Sequence, residues 1–591
     1  MAFVQAMSAS TPLTKTGVNG ASVLTEAGVG DRRLTLYTML TRGLEPSYIE
    51  REIDAMFGGF GSPAEVIEDL FVLAFQTRDV RGGKGERDLF YHLIKALNAW
   101  RPETVRDLLH LVPEYGCWRD LWELHALIHN KAFRAEIYRL VRTTLETDSQ
   151  QTDTHRLSLL AKWMPREGSK TYAGLAHILA AEMYPNIAAA PRRMAMYRRL
   201  IAGINRRLDT AEIHMCDGTW SDIVPQHVPG RNLTIHREAF LNQPVGPRVV
   251  GRRAKHNPHN PHNLSLRYPD SPDRMECRQN FLDFLAAVKA GKAVAKGADV
   301  VQPHEIVTGI ERLIHERYMR DTEATKESLA MLEVQWSALR DAAMAAGGFG
   351  KAVAMCDFSG SMCGIPMQVS KALGLLISET TSPAFRDHIL TFDSTPKWHA
   401  FQRGSNITQK ICSLGGVGQG LSTDFYAACM MILERMVAAK VPVGEEPEDL
   451  IVLTDMGWDA ASNVCVERMR LGECGDCMVS VKAPWKSQIQ QIQEAFKAAG
   501  GWRVPRIIVW NLRAAYKDFQ ATAADEGVVV LSGWSPSVFK ALQKDGGCQM
   551  KLSPNGESLN SFCEGVTPMV GLRAVLDDPR YDAVRRIVGG M

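Results

Sequence analysis

Three short stretches of this chain carry oxygen-bearing side chains at spacings that suit a hard divalent cation. The first is Asp357-Phe-Ser359-Gly-Ser361, directly after the apolar run Ala352-Val-Ala-Met-Cys356. The second is the glycine-rich loop Gly415-Gly-Val-Gly-Gln-Gly-Leu-Ser-Thr423-Asp424, which opens a helical pattern. The third is Leu450-Ile-Val-Leu-Thr-Asp455, a second apolar run that ends in acid. Mg2+ takes near-octahedral oxygen donors and keeps some water, so it needs only a few protein ligands from separate loops. Asp357, Ser359, Ser361, Thr423 and Asp455 form the candidate set. Two further acids lie close by in sequence. For Asp424 a helix-dipole role competes with ligation, and for Asp459 a solvated-loop role does.

These residues need strands to carry them. From position 351, β-like runs (352–355, 388–391, 450–454, 504–510 and 528–531) alternate with helical ones (367–380, 425–438 and 487–499). Such alternation predicts a doubly wound α/β domain with a parallel sheet, over 347–571, whose strand carboxyl ends hold the ligand site. Upstream, apolar residues three and four apart in Pro63–Phe75, Arg87–Leu97 and Leu157–Trp163 predict an α-helical, HEAT-like array over 46–346. Proline and asparagine interrupt it near 243–275. Residues 1–45 are small and weakly patterned and predict a flexible arm, and 572–591 predict a helical tail that returns to an earlier domain.

The helical half has basic residues of its own. Arg78, Arg81, Lys84 and Arg87 surround a glycine turn that enters a helix, where backbone N–H and cationic groups could hold phosphates. Asp79 and Glu86 interleave with them, so an internal salt-bridge network locking two helices is an equal reading. Arg192, Arg193, Arg198 and Arg199 form a clearer stripe, in a region (191–255) with 12 Arg/Lys against five Asp/Glu. A polyanion such as RNA suits that balance, and so does a solvated helix face. Trp118, Trp163 and Trp220 could stack bases, but aromatic residues at helical spacing more often fill a core.

Other chemistries find little support. Cys474-Gly-Asp-Cys477 has no second Cys/His pair at zinc distance, and the His256, His259 and His262 loop is broken by proline. The chain contains no Gly-x-x-x-x-Gly-Lys-Ser/Thr phosphate loop, so no nucleotide is expected. Ser359 and Ser361 have no sequence cue for a histidine base, and a two-metal nuclease needs more clustered acids. At 591 residues the chain is multidomain, and 45% hydrophobic with 23% charged residues is a folding composition. The net charge of +2 gives no global pull toward nucleic acid or membrane. The N-terminus lacks signal-peptide character, no run of about 18 apolar residues occurs, and cysteines fall inside apolar runs. A cytoplasmic protein without a membrane partner is the expectation.

The order Asp-x-Ser-x-Ser, loop Thr, strand-terminal Thr-Asp resembles the metal-ion-dependent adhesion site of von Willebrand factor A domains. The resemblance implies that Asp357, Ser359, Ser361, Thr423 and Asp455 hold Mg2+ or another divalent cation, directly or through water. It also implies that a partner protein's carboxylate fills the open coordination position. In the helical half, the segments Arg78-Asp-Val-Arg-Gly-Gly-Lys-Gly-Glu-Arg87, Pro113-Glu-Tyr-Gly-Cys-Trp118, Leu157–Pro165 and Tyr197-Arg-Arg-Leu resemble TROVE-module proteins of the Ro autoantigen class. They match most closely a branch that joins a TROVE-like array to a C-terminal A domain. That resemblance implies a non-enzymatic ribonucleoprotein component that binds small structured RNA. The alternative is a Mg-dependent protein-interaction scaffold without RNA.

Overall fold

The structure is a computed structural model that describes residues 13–20, 22–58, 63–243, 266–294, 301–319, 323–391, 396–417, 424–458, 468–471, 478–481, 488–499, 502–538 and 565–590. Thr423, Asp459, the Lys255–Asn263 loop, Cys474 and Cys477 lie outside the described residues.

A small hairpin, β1 (Thr14–Thr16) and β2 (Ser22–Leu24), leads into a helical region that runs to Ala345. Its helices follow the apolar spacing. In Lys131–Gln150 the buried Phe133, Ile137, Val141 and Leu145 recur every fourth residue, and the Asn130 side chain accepts from Phe133 N at 3.0 Å. Such a cap stabilises a helix by about 1 kcal/mol. Among the described residues no helix is long and apolar enough to cross a membrane.

The C-terminal region is built on a six-stranded sheet of β3 (Ala352–Cys356), β4 (His388–Thr391), β5 (Lys397–Ala400), β6 (Asp449–Thr454), β9 (Arg506–Asn511) and β10 (Val528–Ser532). A separate antiparallel pair, β7 (Arg468–Leu471) and β8 (Met478–Val481), lies between β6 and β9 in sequence. The spatial order is β10-β9-β6-β3-β4-β5, and every pairing is parallel except that of the edge strand β5 with β4. The sheet is therefore mixed rather than wholly parallel. A short hairpin between 388 and 400 adds β5, and its Lys397-Trp-His-Ala sequence does not read as a strand.

Period-two alternation divides the central strands between two cores. Ala352, Ala354, Cys356, Ile451 and Leu453 join the apolar cluster of the Ile365–Thr380 helix, together with helices Pro303–Met319 and Glu323–Ala345. Val353, Met355, Leu450 and Val452 join the other cluster, with helices Phe425–Ala439 and Gln488–Ala499 and much of the N-terminal region. Helix and sheet meet closely at Gly374, where a Cβ would lie 2.4 Å from Cys356 Sγ. The core does not divide at residue 346, since the last two helices of the array pack against the Ile365–Thr380 helix and share its apolar cluster.

Residues 13–45 are also built in rather than free. Leu24 bridges to Phe519, Lys15 pairs with Asp518 at 2.8 Å, and Leu34, Leu36, Tyr37 and Leu40 are buried. The C-terminal tail returns as expected. Arg573 joins Arg33 on Asp69, and the Arg580 guanidinium and Tyr581 hydroxyl both reach the buried Asp79.

The glycine turn is interior, which corrects two of the RNA-contact expectations. Arg78 is buried with its Nε 2.7 Å from Asp120, which also accepts from Tyr91. Lys84 is fully buried and donates to Tyr37 O and Leu40 O, each at 3.0 Å, and to Ser532 Oγ at 2.6 Å. Glu86 is held by Arg42 through two bonds of 2.9 Å. These groups form the internal network, and neither Arg78 nor Lys84 can reach a phosphate. Arg81 is exposed and Arg87 is half-buried.

Replacing Lys84 by Ala strands buried acceptors from both regions, and the expected loss is about 3 kcal/mol by chemical denaturation. A loss under about 1 kcal/mol would contradict this role. His304 supplies a pH test. Its ring meets Trp534 edge-on at 5.1 Å, and burial, then the charges of Arg42 and Arg231, push it down to about 3. A histidine held neutral in the fold protonates first in the unfolded chain, so its stabilisation is complete above about pH 6.5 and is lost toward pH 3. By pH 5 the loss is about 2 kcal/mol. Stability of His304→Gln, measured across that window, should lack this component.

Candidate metal centre

Asp357 and Asp455 are brought together by the pairing of β3 with β6, whose carboxyl ends lie side by side. The Asp357 amide donates to Leu453 O at 3.0 Å, which extends the strand pairing by one residue and leaves the Asp357 side chain buried at the strand's carboxyl end. One carboxylate oxygen accepts from Ser359 N at 2.9 Å, the other from Thr454 Oγ1 at 3.0 Å. Ser359 Oγ and Ser361 Oγ are 3.0 Å apart, so the two hydroxyls converge. The first loop therefore brings one carboxylate and two hydroxyls together.

The third loop is equally constrained. Asp455 Oδ1 accepts from Gly457 N at 3.1 Å, and its Oδ2 is buried with no hydrogen-bond partner. Met456 adopts φ +70°, a left-handed conformation that costs a non-glycine residue energy and folds the loop back over the site. Thr454 Oγ1 accepts from Met456 N at 3.1 Å and from Trp458 Nε1 at 3.2 Å. The Trp458 ring packs on Phe425 at 4.3 Å, which ties this loop to the start of the helix that follows the glycine-rich second loop. Gly457 has no room for a side chain, since a Cβ would lie 2.7 Å from the Tyr516 ring.

Electrostatically the pair is unbalanced. Both carboxylates are buried, and among the described residues neither takes part in an ion pair. Burial, and then the charge of Asp455, push Asp357 up to about 7, against the opposing hydrogen bonds from Ser359 and Thr454. Two carboxylates and two hydroxyls with one buried oxygen unpartnered make an all-oxygen donor set that fits a hard cation. Among the described residues, no group of three or more His, Cys, Asp or Glu side chains is arranged to hold a metal, and the two acids here stand with hydroxyls and without a third such side chain.

Asp424 caps the Phe425–Ala439 helix, its side chain accepting from Ala427 N at 2.8 Å. Sequence spacing left three supporting groups unread. Thr454 orients Asp357. Arg513 Nη1 donates to Ser361 O, and Asn19 Nδ2 donates to Gly457 O at 2.7 Å. Only Thr454 was signalled, by its place before the terminal acid. The Arg192 stripe lies elsewhere, on the Ala190–Leu208 helix. Arg192, Arg198 and Arg199 are exposed and Arg193 is half-buried, and Arg198 is paired with Glu167.

Residues 351–569 match a family model described as a domain of unknown function, DUF7788. The chain is also 25% identical over 489 residues to "Uncharacterized protein L728" of Acanthamoeba polyphaga mimivirus, across 80% of this chain and 75% of the relative. The alignment with that relative is longer than the matched domain and so takes in part of the helical region.

Thr454→Val keeps the shape of the strand end but removes the hydroxyl that orients Asp357. Supports of this kind typically alter metal affinity 10- to 100-fold. Calorimetric titration with Mg2+ should show a loss of at least about tenfold, and an unchanged affinity would remove Thr454 from the site.

Proposed function

We propose that the protein is a non-enzymatic binding scaffold whose C-terminal region is a metal-ion-dependent adhesion module of the von Willebrand factor A type. The observation that carries this reading is the buried, unpartnered Asp455 Oδ2 beside Asp357, an arrangement of like charges that a divalent cation relieves. The mixed sheet with one antiparallel edge strand and the position of both acids at strand carboxyl ends support it. Asp357, Ser359, Ser361 and Asp455 would hold Mg2+, with Thr423 from the second loop completing the set by resemblance. When bound, the cation supplies a Lewis-acid position for a partner protein's carboxylate. The residues themselves orient donors. Ser359 N and Thr454 Oγ1 fix the Asp357 carboxylate, and Gly457 N fixes that of Asp455.

A second reading, an RNA-binding role for the TROVE-like helical region in the cytoplasm, draws support from one observation. Arg192, Arg199 and Arg206 recur every seventh residue on the exposed side of the Ala190–Leu208 helix, and among the described residues none of them is in an ion pair.

Two experiments separate the readings. Asp357→Ala should abolish Mg2+ binding while the thermal transition stays cooperative, and normal titration by this variant would end the metal reading. For the other, Arg192→Glu with Arg199→Glu should weaken binding to a structured small RNA at least about tenfold and flatten its salt dependence. An unaltered affinity would exclude that stripe.

A further inference from the structure

A groove on the helical region is lined by none of the candidate metal ligands and by none of Arg192, Arg193, Arg198 and Arg199. It has a volume of about 390 Å³ and is lined by His129, Lys131, Arg134, Tyr138, Arg139 and Arg142, with Glu182 on the opposite wall. Lys131, Arg134, Tyr138 and Arg142 share one face of the Lys131–Gln150 helix at spacings of three, four and four, Arg139 stands beside them, and Glu182 comes from the Ala173–Met183 helix. From Lys131 to Arg142 that face extends about 16 Å, enough for several consecutive phosphates of an extended chain.

Only part of the cationic charge here is spent on carboxylates. Arg139 is paired with Glu136. Arg134 instead donates to the carbonyl of His125 at 3.0 and 3.2 Å and to His129 Nδ1 at 2.6 Å, so its guanidinium is held rigid while keeping its charge. Lys131 and Arg142 are exposed and, among the described residues, form no ion pair. Tyr138 is fixed as well, its hydroxyl sharing a 2.6 Å hydrogen bond with His125 Nε2. Burial, with the charges of Arg134 and His129, pushes His125 down to about 4, so it stays a neutral partner for that hydroxyl. Three cations that are in no ion pair among the described residues, one of them immobilised, and an oriented aromatic phenol line one open groove that holds a single carboxylate, Glu182. Solvated surface charges ordinarily find carboxylate neighbours or stay mobile, and Arg134 does neither.

We propose that this groove binds a single-stranded phosphodiester chain, a segment of RNA, with Lys131, Arg134 and Arg142 on the phosphates and Tyr138 against a base. The proposal rests on the RNA-binding reading above and assigns it a second, separate contact surface.

The test uses the full-length chain and a short labelled single-stranded RNA, with binding followed by fluorescence anisotropy over a salt series. Lys131→Glu with Arg142→Glu changes two exposed side chains and leaves the Arg134 and His125 bonds in place; circular dichroism checks the fold. The groove assignment expects at least a tenfold loss of affinity and a salt slope shallower by about 1.4, from two lost phosphate contacts. Wild-type affinity in this variant overturns it; if Arg192→Glu with Arg199→Glu still weakens binding, the RNA reading survives without the groove. No RNA binding by the wild-type chain at low salt overturns both. A mononucleotide that competes as well as the oligonucleotide, mole for mole, overturns the polymer assignment in favour of a small phosphate pocket.

Discussion

The ammonium of Lys84 is enclosed by protein, and it is tolerated there because two segments remote in sequence deliver acceptors to it. The Arg32–Met39 helix contributes the carbonyls of Tyr37 and, just past its end, Leu40, while β10 contributes the hydroxyl of Ser532. Next to it, Asn511 at the end of β9 donates to Thr38 O at 2.9 Å. Unpaired, a buried charge of this kind costs several kcal/mol, so helical region and sheet are each incomplete without the other. Gly533 runs against the Lys84 side chain, where a Cβ would lie 3.3 Å from it, and leaves space for it to pass.

This contact sits at the same edge of the sheet as the candidate metal ligands. The carboxyl ends of β3 and β6 carry Asp357 and Asp455, whereas those of the neighbouring strands β9 and β10 are covered by the N-terminal segment. The hairpin of β1 and β2 reaches further, with Val18 N and Lys15 on Asp518 and Asn19 on Gly457 of the third loop. The protein's own chain therefore covers one part of this edge, and the other part holds two buried acids that form no ion pair with a lysine or arginine among the described residues. The same fold that gives the buried Lys84 amine three acceptors sets the two acids side by side, where burial and then the charge of Asp455 push Asp357 up. A bound divalent ion reverses that imbalance.

Much of this was legible in the sequence, and the failures have physical causes. Strand β3 is a five-residue apolar run and β6 carries four apolar residues, Leu450 to Leu453, all buried, a pattern with few alternatives when an acid follows, and so Asp357, Ser359, Ser361 and Asp455 could be read as one loop set. Strand β5 was not legible, because an edge strand has solvent on one side and needs no apolar run. Arg78 and Lys84 stand in a basic, glycine-containing string that resembles a phosphate loop. What buries them, Asp120 and Ser532, is 42 and 448 positions away. Residues 13–45 failed as a flexible arm for the same reason: strands of three residues carry little periodicity, and their partners lie at Asp518 and Phe519. The groove around Arg134 was silent because its meaning depends on a backbone carbonyl, which no sequence pattern reveals.

The central claim is that Asp357 and Asp455 share one divalent cation with the two serine hydroxyls. A crystal structure of the full chain grown with Mn2+, with data collected to record its anomalous scattering, tests this most directly. The account predicts one strong anomalous peak within coordination distance of Asp357, Ser359, Ser361 and Asp455, and none in crystals of Asp455→Asn grown the same way. Well-ordered loops with no peak at these residues in the wild-type crystal would contradict it.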